Sequence, residues 1–174
     1  NNFNINNINN NNLILNVQIN SFGKEDLSHI TDKEYLTCIA KRYPGLFEFI
    51  RLVHLNKNVP QNHNFIITNP RTKKAYIFRN GSYETENTDD VIDDLINNNM
   101  WRLEDKVDEL ENDDIIYNNL ITDHKEFKKT YYENNIKRIQ NVRDKVQDMV
   151  LDNRHVILET YNKAQNKKKL LNKL

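Results

Sequence analysis

The spacing of apolar and polar positions changes several times along this chain, and each change predicts a different element. Leu13, Leu15, Val17 and Ile19 alternate with Ile14, Asn16, Gln18 and Asn20. Period two marks a half-buried strand, and Ser21-Phe22-Gly23 ends it. Residues Lys24 to His29 fit one helical turn. Thr31 or Asp32 then supplies an N-cap, with Glu34 in the first turn where a carboxylate suits the helix dipole. Tyr35, Leu36, Ile39 and Ala40 give that helix an apolar face. Tyr43-Pro44-Gly45 breaks it, because the residue before a proline avoids the α region. A second helix follows from about Leu46 to Leu55, with Leu46, Phe49, Ile50, Val53 and His54 along one stripe.

Strand patterning replaces helical patterning between His54 and Glu84. Phe65 to Thr68 read as one strand and Ala75 to Phe78 as the next, with a turn carrying Asn69-Pro70. Asn80-Gly81 then invites a third strand at Tyr83. Beyond it, Asn87 or Thr88 caps a third helix whose first turns hold Asp89, Asp90, Asp93 and Asp94. Val91, Ile92, Leu95, Ile96, Leu103, Val107 and Leu110 form its buried side. Asn97-Asn98-Asn99 is a candidate interruption, and Trp101 is expected to pack over the hairpin or the preceding helices. Residues Glu111 to Asp114 end this region. From about Asp123 the pattern is helical. Ile139, Val142, Val146, Met149, Asn153 and Val156 keep heptad spacing, so this region is either a short coiled coil or an ordinary helical hairpin with a break at Asp152-Asn153-Arg154. The expected fold class is α+β: an N-terminal strand, a helical pair, a small antiparallel hairpin sheet and long C-terminal helices. The expected organisation is an Asn-rich linker over 1–12, an α+β core module over 13–116 and a helical region over 117–174. The linker reads either as disordered or as an extended segment pairing with a copy of itself through Asn ladders.

Composition narrows the possible functions. The chain has 174 residues, with 25 basic and 25 acidic side chains, so it is neutral and unsuited to indiscriminate nucleic-acid binding. Cys38 is the only cysteine, which excludes an intrachain disulfide and any multi-cysteine metal site. Its apolar neighbours mark it as core. No apolar run approaches the ~20 residues of a membrane span. The chain begins at Asn1 without Met, as a fragment would.

The candidate chemistry is sparse. His29, His54, His63, His124 and His155 show no zinc-ligand spacing. His54, Asn62 and His63 invite comparison with histidine–asparagine–histidine nucleases, in which one His activates water and another group holds the metal. Here His54 lies on a helix pattern and His63 precedes the strands, so Asn62, His63 and Asn64 read instead as a polar turn. The paired aspartates coincide with helix ends. Arg71, Lys73, Lys74 and Arg79 cluster at the hairpin. Together with Lys167, Lys168 and Lys169 they are candidates for phosphate contact, or ordinary solubilising charges.

Several segments together carry a family likeness. They are Ile19-Asn20-Ser21-Phe22-Gly23-Lys24-Glu25-Asp26-Leu27-Ser28-His29-Ile30, Tyr43-Pro44-Gly45-Leu46, Leu52-Val53-His54-Leu55-Asn56 and Pro60-Gln61-Asn62-His63-Asn64. Ile67-Thr68-Asn69, Lys74-Ala75-Tyr76 and Asp89-Asp90-Val91-Ile92-Asp93-Asp94-Leu95-Ile96 continue it. The chain resembles uncharacterised giant-virus (mimivirus-like) proteins that carry a Cys/His zinc finger, an Asn-rich or coiled linker and then this module. The resemblance implies a viral, nucleic-acid-associated protein in the host cytoplasm, the viral factory or the virion. One cysteine cannot build the finger, so either the chain is trimmed to the C-terminal module or this member never had a finger, and the resemblance brings no catalytic residues with it.

These readings combine into one expectation. The chain is a non-enzymatic oligomerisation and interaction module, without metal, cofactor, small-molecule substrate or membrane. Copies share the strand at Leu13, Leu15, Val17 and Ile19 and the seam at Ile139, Val142, Val146 and Met149. Direct nucleic-acid binding is the alternative, and a metal-dependent nuclease the most distant one.

Overall fold

The computed structural model describes residues 18–111, 118–133 and 136–171, and the fold is α+β. Helix α1 spans Asp32–Lys41 and α2 spans Tyr43–His54. A capping box starts α1: the Thr31 hydroxyl accepts the Glu34 N–H, and the Glu34 carboxylate accepts the Thr31 N–H. The two helices are separated by a single residue, Arg42, at φ 55°. Pro44 sits in the first turn of α2, where its missing N–H leaves no intrahelical bond unmade. The Tyr43-Pro44-Gly45 triplet therefore opens the second helix rather than lying between the two. Gly45 packs against the backbone of α1: a Cβ there would stand 1.7 Å from the carbonyl oxygen of Cys38.

The sheet is β1 (Phe65–Asn69), β2 (Lys74–Arg79) and β3 (Ser82–Asn87), antiparallel in that order. Asn80 and Gly81 both take positive φ, 50° and 85°, the geometry of a tight hairpin turn whose twist matches its strands. In β2, Ala75 and Ile77 face the core while Tyr76 faces outward. Phe65, Ile66 and Ile67 of β1 are all buried, as expected of a strand covered on both faces. β3 is an edge strand whose Glu84 and Glu86 discourage further pairing.

Helix α3 (Thr88–Glu111) follows at once, its second residue held by the Asn87 side chain, which accepts the Asp89 N–H at 2.8 Å. The helix runs through Asn97-Asn98-Asn99 without interruption, because Asn99 turns inward and donates to the Leu95 carbonyl (2.7 Å). Helices α4 (Asn118–Tyr132), α5 (Ile136–Asp152) and α6 (Arg154–Leu171) complete the described chain. Helical structure thus resumes at Asn118. The heptad seam breaks at Asn153, between α5 and α6. Its members Val142, Val146, Met149 and Val156 are buried within this one chain, and Ile139 is half-buried against the same core. A face expected to be shared between copies is already covered by α3 and β1, against which α5 packs. Helix α6 is docked by Thr160 on His63 and by Tyr161 edge-on to Tyr83.

The described residues before α1 form no helical turn at Lys24–His29. The Ser28 N–H, which such a turn would send to the Lys24 carbonyl, goes instead to Asp26 Oδ1 (2.9 Å), and Asn62 clasps the Asp26 backbone: its Oδ1 accepts the N–H (3.0 Å) and its Nδ2 donates to the carbonyl (2.7 Å). Leu13, Leu15 and Val17 lie outside the described residues. Ile19 is buried in an irregular strap, which is tied down where Asn20 N–H donates to Gln61 O and Phe22 N–H to Phe78 O.

Candidate functional site

The strap carries one acid into the core. Glu25 ends among His54, Asn64 and Arg102, with its side chain 1% exposed. Its Oε1 accepts Asn64 Nδ2–H (2.8 Å) and the Gly23 N–H (2.9 Å), and Oε2 pairs with Arg102 Nη2. Arg102 Nη1 also donates to Asn99 Oδ1 (3.3 Å). That bond orients the Asn99 amide so that its nitrogen faces His54 Nε2 at 3.2 Å. Nε2 must therefore accept, which places the imidazole proton on Nδ1, 3.8 Å from Glu25 Oε1. Burial pushes His54 down to about 4 against the pull of Glu25, so the ring is neutral at pH 7. Burial raises the Glu25 carboxyl, but nearby positive charge and the bonds from Arg102 and Asn64 outweigh it and hold the group below its ordinary value. The net result is one ion pair wrapped in amides. It fastens the strap to α2, to Asn64 just ahead of β1 and to α3, as a clasp.

His54 and His63 do not converge on a metal. His63 uses both ring nitrogens elsewhere, with Thr160 Oγ1 at 2.8 Å and the Asn56 carbonyl at 3.0 Å. Among the described residues, no three His, Cys, Asp or Glu side chains are placed to hold a metal ion. Asn62 closes a 3-10 turn over Pro60–Asn62, and His63 and Asn64 follow it; all three are buried, and their side chains reach Asp26, Thr160 and Glu25 rather than building a local polar turn. Cys38 is buried too, and burial pushes its thiol up to about 11.

The hairpin cations stand beside acids. Lys73 Nζ lies 3.3 Å from Asp89, and Arg79 reaches Glu86 and Asp94 at 3.7 and 3.6 Å. Arg71 and Lys74 are exposed at the tip. Lys167, Lys168 and Lys169 fall on α6, with their side chains outside the described set. A polar cleft of about 240 Å³ lies between Lys73 and Asp89 on one side and Gln140, Arg143 and Gln147 on the other, with the Arg143 guanidinium bound to Asp93.

A different surface stands out, one the sequence pattern misplaced. Trp101 is 55% exposed, where it is expected to be covered by the hairpin or the helices before it. The reason is angular. The buried side of α3 runs through Ile96, Met100, Leu103 and Val107, and Trp101 follows Met100 by about 100° around the helix. Tyr132 of α4 is 45% exposed and Ile136 of α5 81%. The two aromatic rings belong to one face. His124 lies within electrostatic reach of Glu104 and Asp108, Lys128 is bonded to Glu104, and Tyr131 feels Asp93. Advancing along α4 thus means retreating along α3, so the helices are antiparallel. Trp101 precedes Glu104 by one turn and Tyr132 follows Lys128 by one turn, which puts both rings on the same side of that ion pair.

No helix among the described residues is long and apolar enough to cross a membrane. No family model, no curated protein and no solved structure matches this chain.

Proposed function

We propose that this chain is a non-enzymatic interaction module that joins copies of itself. The observation that carries this reading is the exposure of Trp101 on α3 and of Tyr132 on α4, with Ile136 opening the next helix. Tryptophan and tyrosine are enriched where proteins meet, and their large rings contribute most when a partner desolvates them. The core needs neither ring, because α3 already buries an unbroken apolar side. The resemblance to giant-virus proteins gives this reading a setting: a nucleic-acid-associated viral protein in which this module gathers the chains.

The test is the mass in solution. Light scattering across a dilution series up to about 0.1 mM, where even a weak interface is populated, should return a mass above the 20.8 kDa of one chain. A single species of one-chain mass throughout would overturn the reading.

A further inference from the structure

The α3–α4 surface has a charge layout that fits a copy of itself. Trp101, Glu104, Asp105 and Asp108 fall at i, i+3, i+4 and i+7 of α3, a single stripe about 10 Å long. Lys125, Lys128, Lys129 and Tyr132 repeat the spacing on α4, and all eight side chains are exposed or half-exposed. The first stripe is an aromatic followed by acids. The second is lysines followed by an aromatic. Because the helices are antiparallel, the two rings stand at one end and the acids and lysines lie side by side at the other.

Building on the self-association reading, we propose that this face is the contact between two copies, related by a two-fold axis parallel to α3 and α4. Such an axis lays α3 of one copy over α4 of the other without changing the level along the helices. Each Trp101 then meets a Tyr132, and the acids of each α3, with Glu104 already bonded to Lys128 and Lys129 to Glu133 inside one chain, come to lie against the lysines of the opposite α4 as well. A two-fold axis across the helices would instead lay α3 on α3 and α4 on α4 with their levels reversed, which sets Glu104 against Asp105 and Lys128 against Lys129 and leaves each aromatic ring over a charge. The charge pattern thus selects one symmetry, in which an isologous contact is complementary everywhere. A four-helix arrangement results, and the neutral net charge of the chain opposes it with no long-range repulsion.

Sedimentation velocity on the full chain and its variants tests this. Trp101→Glu buries a charge where the rings meet and should weaken association at least about 30-fold, the scale of a lost interface hot spot. Unchanged thermal unfolding of that variant at low protein concentration would show that the fold is intact. Lys125→Glu/Lys129→Glu and Asp105→Lys/Asp108→Lys should each be monomeric alone, because like charges then oppose across the axis. Mixed together, they should form a heterodimer. To check the axis, Trp101→Cys and Tyr132→Cys chains should cross-link to each other in a mixture more readily than either does to itself. Association that persists in Trp101→Glu overturns this face but leaves self-association standing. A wild-type chain of one-chain mass overturns both. Preferential Trp101→Cys self-cross-linking overturns the axis.

Discussion

Acid should unfold this protein through His54, and the size of the effect follows from where the ring sits. Phe22 and Phe65 flank the imidazole at 6.3 and 5.6 Å, Asn99 holds Nε2 at 3.2 Å, and Glu25 stands 3.8 Å from Nδ1. An exposed histidine takes up its proton near 6.5, whereas burial holds His54 down to about 4. Between those values the unfolded chain binds a proton that the folded chain refuses. Stability therefore declines as pH falls through that window, by about 1.4 kcal/mol per pH unit and about 3 kcal/mol across it. Above 6.5 this contribution is constant. Glu25 acts lower on the scale. Its folded value lies below its ordinary 4.5, so its stabilisation is present above 4.5 and is lost only as pH falls beneath that. Burial also holds His63 and His124 down, so the whole-protein slope should be steeper than His54 alone gives. The direct assay is the NMR titration of the His54 ring, assigned with a His54→Gln variant. Urea midpoints between about pH 7 and pH 5 should follow it, with a shallower slope in the variant. A ring that titrates at its ordinary value would refute the argument, because it would mean that His54 is hydrated or paired differently.

Further outcomes are specific. Arg102→Met should cost about 3–5 kcal/mol in urea unfolding, because it leaves the buried Glu25 carboxylate without its countercharge; Glu25→Gln in the same chain should recover part of that loss. Gly45→Ala should destabilise by about 1–3 kcal/mol or more, read as a drop in Tm. In an open helix that change gains up to about 1 kcal/mol, so a rise in Tm would refute the close approach of Gly45 to Cys38. The Cys38 thiol should resist an aromatic disulfide reagent at about pH 8 in the native chain and react at once in denaturant, because burial keeps it protonated. Rapid native labelling would refute that.

The sequence made some of these features legible and hid others, for physical reasons. The α+β class, an N-cap at Thr31 or Asp32 with Glu34 in the first turn, and the three strands were readable because they are local. Asn80-Gly81 permits essentially one kind of turn, and the capping box spans four residues. The strap was not readable. Lys24–His29 has helix-compatible residues, but the Asp26 carboxylate takes the Ser28 N–H, and Asn62, distant in sequence, holds the Asp26 backbone. Glu25 gave no signal either, since a lone acid in a polar stretch looks solvated until Arg102 meets it across the fold. The continuous α3 went against the three asparagines because Asn99 found His54 and the Leu95 carbonyl inside the core. The seam at Val142 and Val146 had the right period but the wrong audience: heptad spacing reports a buried stripe and does not say which chain covers it. The face at Trp101 was readable in principle, from two four-residue stripes of opposite charge. Finding it required knowing that α3 and α4 run antiparallel.

One stretch of α3 therefore holds two separate properties. Asn99 and Arg102 turn inward and fasten the strap, while Trp101, between them, turns outward. The angular period of a helix is what keeps these roles apart, since Asn99 and Arg102 are three residues apart on one side and Trp101 lies off that side. Substituting Trp101 should change the mass in solution and leave the folding free energy of a single chain alone. Substituting Arg102 should loosen the strap and lower that free energy while leaving the aromatic and charged stripes in place. If the two variants produced the same phenotype, inner clasp and outer face would not be independent, and α3 would have to move as a unit whenever copies separate.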